Sequence, residues 1–342
     1  MRLSVLDQSI AAAGRPHGDA IRDTIALARH CEGLGYHRFW VSEHHNHPTI
    51  VGTAPEILIS AIAATTERIR VGSAGVMLPH YSAYKVAEQF RVLDAIAPGR
   101  IDLGVGRAPG SDGKTAFALN PLANQRAEQF PADTRDLDAW VHGEPLVEGH
   151  PFATQAAFPQ GETAPQVWML GSSLYGAQLA AVLGLPYCFA WFITDGFGCA
   201  QALEQYRKNY RPSERWPEPH AAICLWALAG DSHDEAQHHF TSRARWKLYR
   251  DRGIYGPLES PEDAAAHDYS DKDAEIIADL RRDSFVGTGA EVARRLKATA
   301  EEVGADEIAV VTWAHDEAIR RRSYELLARE FGLGGSAGES SP

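Results

Sequence analysis

Three histidines and a glutamate crowd the octapeptide VSEHHNHP, residues 41–48. Imidazole is the commonest metal ligand and the one side chain that titrates unperturbed near neutrality. His44, His45 and His47 are therefore candidates for metal binding, for acid–base chemistry, or for neither, and their place in the fold must decide. Two further stretches carry chemistry-bearing groups. In GVGRAPG (104–110) the glycines let backbone approach a planar ligand, and Arg107 can meet an anion; close packing of a strand would explain the glycines equally. The spacing is not G-x-G-x-x-G, and Pro109 stands where a helix would have to begin, so the dinucleotide fingerprint fails. In GSSLYG (171–176), Gly171, Ser172 and Ser173 lead into a helical pattern, gathering hydroxyls and free N–H groups at its positive end. That suits an anion, although serines that merely cap the helix would read the same way.

What must position these groups is an alternation of short apolar runs with helical patterns. Strands are expected at 3–9, 36–43, 69–78, 100–106, 166–171, 185–193, 221–230 and 306–313. The first helix carries the stripe Ile21, Ile25, Ala28, Cys31 and Leu34, with Asp19 as N-cap and Gly33 and Gly35 as the stop. A second helix is expected from Pro55 to Glu67, a third behind Ser82 with Ala87, Phe90 and Leu93 on one face, and the last over 316–331. Eight such units predict an α/β fold, a (β/α)8 TIM barrel spanning 1–331 as one domain, with a doubly wound sheet as the alternative. Connections 108–165 and 231–285 are insertions after strands 4 and 7, expected on the catalytic face as lids. Residues 332–342, ending in the polar GGSAGESSP, are expected to form a disordered tail.

In such barrels chemistry gathers at the C-terminal ends of the strands. Those ends read Asp7-Gln8, Glu43-His44-His45, Ala74-Gly75, Gly106-Arg107, Gly171-Ser172-Ser173, Trp191-Phe192, Trp226 and Trp313. The histidines thus fall where reactions occur. A catalytic zinc needs three convergent protein ligands. Beyond Asp7 and Glu43 the other ends offer glycine, serine, arginine and tryptophan, so no metal is expected, and His47 is read as a loop residue. The aromatic ends are either core filler or, since indole N–H groups want partners, walls for a planar, phosphate-bearing cofactor.

Composition narrows the class. The 342 residues are 44% hydrophobic, enough for a large core, and the net charge of −12 argues against a nucleic-acid surface. The basic run Arg320–Arg322 is read as a solvated helix face. Cys31, Cys188, Cys199 and Cys224 are scattered with no C-x-x-C, which suits a reduced, cytoplasmic protein. Asp7 and Gln8 interrupt the apolar start before AAAG, so no signal peptide is expected, and no run has the length of a membrane span.

The strings FWVSEHH, RVGSAGVMLPHYSAYKVAEQF, APGRIDLGVGRAPG, LGSS, GLPYCFAWFI and FVGT, in that order, resemble the bacterial luciferase-like flavin monooxygenases to about residue 331. The wording is closer to non-luminous members. The resemblance implies a barrel that binds reduced FMN, supplied by a separate flavin reductase, and activates O2 to oxygenate a small organic substrate, commonly as a homodimer. It implies His44 as the catalytic acid–base residue and a cis peptide at Ala74-Gly75 beneath the flavin. It also implies Arg107 and Ser172, with Gly171 and Ser173 around them, at the phosphate, and Trp191 beside the ring; His45 is assigned support of the cofactor. Gly106 departs from the cysteine of luciferase itself, and Gly171 from a glutamate. Deazaflavin-dependent oxidoreductases share the barrel and the serine-type phosphate site. Hydride transfer, a non-catalytic flavin-binding protein and a metallohydrolase are the rival readings.

Overall fold

Short runs rich in Val, Ile, Leu and Trp, buried on both faces, build a closed parallel barrel. The structure, a computed structural model, describes residues 1–108 and 110–334. Its strands are β1 (Arg2–Asp7), β2 (Arg38–Val41), β3 (Arg70–Met77), β4 (Ile101–Gly106), β5 (Gln166–Gly171), β6 (Tyr187–Phe189), β7 (Ala221–Gly230), β8 (Phe285–Thr288) and β9 (Glu307–Val311). Neighbouring strands pair in parallel around the ring β1-β2-β3-β4-β5-β6-β7-β9, which the β9–β1 and β6–β7 ladders close. β8 lies outside the ring, paired with the last four residues of β7.

Alternation along each strand divides the apolar residues between two cores. Val5, Phe39, Val71, Leu103, Val167, Ile223 and Val310 belong to the layer shared with the helices. Leu6, Trp40, Trp168, Cys188, Cys224, Trp226 and Val311 form the other cluster, inside the ring. At the N-terminal end of the ring Arg38 is buried between Asp102 (2.8 Å) and Glu307 (2.9 Å), and the Trp40 indole also donates to Asp102. With both carboxylates hydrogen-bonded, this end is a sealed floor, which leaves the opposite end as the mouth.

Several boundaries differ from the sequence expectations. The first helix runs His17–Leu34 with Pro16 at its N-cap, so Asp19 lies in the first turn, while Gly35 ends it in the left-handed conformation. Helix Pro55–Ala63 stops short of Glu67. The sixth strand is only Tyr187–Phe189, and Trp191–Thr194 is a helical turn. Arg320 is not on a solvated face: it is buried against the Asp7 carboxylate, tying the last helix, Glu317–Glu330, to β1. Arg321 and Arg322 do face outward, paired with Glu317 and Asp231. Of the expected tail, Leu333 packs against the outer core; 335–342 lie outside the described residues. All four cysteines are buried thiols.

The two insertions behave differently. Helix Ala123–His142 of the first packs on helix Ala83–Ile96, on the barrel's flank. Helix His233–Arg250 of the second lies over the ends of β7 and β8, and its Phe240, Ala244 and Trp246 join the interior core. Farther along, Leu258 bridges to Ala12 beyond β1. The second therefore roofs part of the mouth, while the start of the first reaches the histidine turn through Gly110 and Asp112. Among the described residues no helix is long and apolar enough to cross a membrane.

Candidate active site

The histidine turn follows β2 and is held from below by a buried carboxylate. Glu43 is almost fully buried, and its Oε1 accepts from Tyr81 (2.7 Å) and stands 2.7 Å from His45 Nε2. Its Oε2 accepts from the Met77 backbone at the end of β3 (3.0 Å). Glu43 thus joins β2, β3 and the histidine turn, and burial together with this carboxylate raises the pKa of the Tyr81 phenol. His45 is occupied with that carboxylate, and its backbone N–H donates to Gly110 at the start of the first insertion.

His44 is different. Its Nδ1 is 3.2 Å from Ser42 Oγ, and no described residue engages its Nε2. Burial, with His47 and His45 close by, pushes its pKa down to about 4, so near neutrality the imidazole is uncharged. His47, expected to be a passive loop residue, accepts from the backbone N–H groups of Thr49 (3.1 Å) and Ile50 (3.0 Å) through Nδ1. Its ring also lies near Tyr255 and Trp246. His45 and His47 are thereby divided between a carboxylate and a backbone turn. Among the described residues no three His, Cys, Asp or Glu side chains gather as a metal site. Asp7, the other acid considered, is committed to Arg320, Thr24 and the backbone of Ser9.

The floor beside this turn is backbone. The Ala74-Gly75 peptide is cis. A Cβ at Gly75 would come 2.5 Å from Leu170 Cδ1 and 2.7 Å from Gly104 O, and one at Gly104 would come 2.3 Å from Ser73 O. Glycine is required at both places by this close approach of β3, β4 and Leu170, not by turn geometry.

Past β4 and β5 the expected anion groups come together. Arg107, just past β4, is exposed, its guanidinium 3.9 Å above the ring of Tyr175, in the first turn of helix Leu174–Leu183. Ser173 is that helix's N-cap residue, yet its side chain makes no capping bond, and among the described residues neither serine hydroxyl has a partner. This weighs against plain capping and leaves both hydroxyls available to a ligand. Gly171 pairs with Phe189 and accepts from Ala190, so the residues after β6 abut this corner. Trp191 itself packs toward Phe285 (6.5 Å) and against Gly196. Its neighbour Phe192 packs on the interior cluster.

Tyr81 and Tyr175 were not singled out as site residues from sequence. Tyr175 was findable, four residues beyond Gly171 in the same string; Tyr81 was not, because it touches Glu43 only through the fold.

Comparisons with known proteins give the family. The sequence model described as luciferase-like monooxygenase matches residues 1–307. A protein named luciferase-like monooxygenase from Escherichia coli (strain K12) is 39% identical over 94% of this chain and 95% of its own. An N-acetyl-S-alkylcysteine monooxygenase of Bacillus subtilis (strain 168) is 36% identical over 96% of this chain and 97% of its own. Among solved structures, apo-MsnO8 is 34% identical with a TM-score of 0.87, covering 97% of this chain and 98% of its own. Two more distant structures share the fold. One is the oxygenating constituent of 3,6-diketocamphane monooxygenase from Pseudomonas putida in complex with FMN, with TM-score 0.70 and 19% identity over 100% of this chain and 99% of its own. The other is an F420-dependent secondary alcohol dehydrogenase, with TM-score 0.66 and 14% identity over 95% and 97%. On the strength of the family match and of relatives alike along nearly their whole length, this chain belongs to the luciferase-like monooxygenases, a family of oxidoreductases.

Proposed function

We propose that the protein oxygenates a small organic substrate with O2 and reduced FMN, the flavin being delivered by a separate reductase, within one barrel domain over 1–331. The observation that carries this reading is the corner where Arg107 stacks on Tyr175 beside two unpartnered serine hydroxyls at a helix N-terminus. A fixed cation, two hydroxyls and free backbone N–H groups are the donor set a phosphate monoester asks for. Arg107, Ser172 and Ser173 would hold the phosphate, with Gly171 leaving room for it. The backbone of Ala74 and Gly75 would lie under the ring, Trp191 or Phe192 would flank it, and His45 would steady the turn. Bound reduced flavin supplies the electrons that activate O2.

The protein's own contribution is binding, exclusion of water and proton handling. Trp226, Trp246 and Trp313, buried on the covered side of the mouth, would exclude water from the reacting centre. His44, uncharged and with Nε2 unengaged, is the group that would hold or move a proton at the reacting centre. Helices Pro55–Ala63 and Ala83–Ile96 expose Ile57, Val92 and Ile96, with Phe158 beside them, and this face is the one we assign to a homodimer.

The deciding experiment titrates the protein with oxidised FMN, reduced FMN and a deazaflavin, then follows O2 uptake with and without a chelator. Reduced FMN should bind and O2 uptake should survive chelation. Exclusive binding of the deazaflavin, or activity lost to the chelator and restored by zinc, would overturn the reading.

A further inference from the structure

Across the mouth from the proposed phosphate corner lies a cation with no hydrogen-bond or ion-pair partner among the described residues. In the ring order, β9 is diametrically opposite β4, and β7 is opposite β3. Trp226 of β7 and Trp313, just past β9, therefore face the Ala74-Gly75 and Arg107 side. Between them, on the roofing helix His233–Arg250, is Arg243, its guanidinium 4.1 Å above the Trp226 ring and 5.8 Å from that of Trp313. Arg243 is 5% exposed, and among the described residues it forms no hydrogen bond and no ion pair. Asp195 is the acid whose charge acts on it, but both oxygens of Asp195 are taken by Lys247 at 2.7 Å. Burial lowers the Arg243 pKa to about 9, which still leaves it cationic at neutrality. The neighbouring Trp226 indole N–H and Ser242 hydroxyl are likewise buried without partners among the described residues. Other buried cations in this molecule are paired: Arg38 with two carboxylates, Arg320 with Asp7 and Lys247 with Asp195.

A buried guanidinium without a carboxylate is unfavourable for folding. Here it stands in an aromatic wall continuous with the histidine turn. Trp246, three residues on along the same helix face, contacts Trp313 (4.6 Å) and approaches His47, which is 6.2 Å from His44. A flavin held by its phosphate past β4 and β5 would leave this cation free on the opposite side of the mouth. We infer that Arg243 anchors the substrate and that the substrate is a small organic carboxylate, its acid group on Arg243 and its apolar body along Trp226, Trp246 and Trp313. A single planar guanidinium beside the aromatic wall fits a monoanion better than a phosphate, and its fork matches a carboxylate. This assignment rests on the flavin-monooxygenase reading for the chemistry, though not for the binding.

The test is calorimetric titration of the full chain with phenylacetate, hexanoate and their amides, with and without saturating FMN. The acids should bind at least about tenfold more tightly than the amides. Arg243→Met should abolish that preference, a loss of about 10- to 100-fold for the acids, and Arg243→Lys should keep part of it. Because Arg243→Met also removes an unpaired buried charge, its thermal midpoint should rise. No preference for acids in either condition would overturn the assignment. So would an Arg243→Met protein that melts lower and still prefers acids, since the residue would then be structural. An acid preference that persists in a protein with no affinity for FMN would sustain this site and overturn the flavin reading instead.

Discussion

Tyr81 and His45 meet on a single oxygen of Glu43, each 2.7 Å from Oε1, and so bind the end of β3 to the turn that presents His44. Because Glu43 also accepts the Met77 N–H on Oε2, every donor around it is aimed at a carboxylate. Glu43→Gln would present an amide N–H to one of those donors. The substitution should cost about 1.5–3 kcal/mol, the range for hydrogen bonds to a charged group. Chemical denaturation of the variant reads this directly, and an unchanged midpoint would remove Glu43 from the scaffold.

His44 carries the reaction in our reading, so His44→Ala should lower product formed per flavin oxidised by about 10²–10⁴-fold, the usual range for a positioned acid–base group. Reduced-FMN affinity should change little. H2O2 release measured alongside distinguishes uncoupling from failure to bind. Normal coupling in His44→Ala would move the proton-handling role elsewhere.

The same residue makes a pH prediction. Its imidazole is held down to about 4 in the folded chain, against about 6.5 when unfolded. Between those values the unfolded chain binds the extra proton. The stability from keeping His44 neutral is thus full above about pH 6.5 and is lost as pH falls through about 4. His37, also held to about 4 by burial, titrates in the same window. His44→Gln should therefore reduce, not erase, the slope of stability against pH between 4 and 6.5. An unaltered slope would mean that His44 is solvated.

Ser172→Ala should weaken FMN binding by about one to two decades, because it removes a hydrogen bond to a charged group. Arg107→Met should do at least as much while freeing the Tyr175 ring. Fluorescence titration of FMN measures both. Unchanged dissociation constants in both variants would place the phosphate away from this corner.

His47→Ala should leave activity per folded molecule nearly intact but lower the melting point. It strips the acceptor from the N–H groups of the buried Thr49 and Ile50, at a cost of about 1–3 kcal/mol. A variant that melts normally but has lost activity would reverse the roles assigned to His44 and His47.

How much of this was legible beforehand depends on whether the signal is local. The strand and helix alternation, Ser82 as a cap accepting from Lys85 and the stop at Gly35 are properties of a few consecutive residues, and the chain spelled them out. So were the groups now facing the mouth, because in a parallel barrel every strand delivers its C-terminal end to the same side. The exact limits of β6 and of helix Pro55–Ala63 were not, since a short apolar run reads alike as strand or buried helical turn.

What only the tertiary structure decided is which partner each polar group has. Arg320 reads as one of three surface arginines until the fold lays Asp7, 313 residues earlier, against it. His45 and His47 sit two residues apart in one turn, yet the fold gives the first to the Glu43 carboxylate and the second to backbone N–H groups. Arg243 gives no sign in sequence, because being unpaired is a relation among β7, β9 and the roofing helix, with Asp195 already given to Lys247. Propensity and periodicity act through neighbours in the chain, and they place the elements. The charge and hydrogen-bond state of a buried group is set by neighbours in space, so residue type alone does not reveal it.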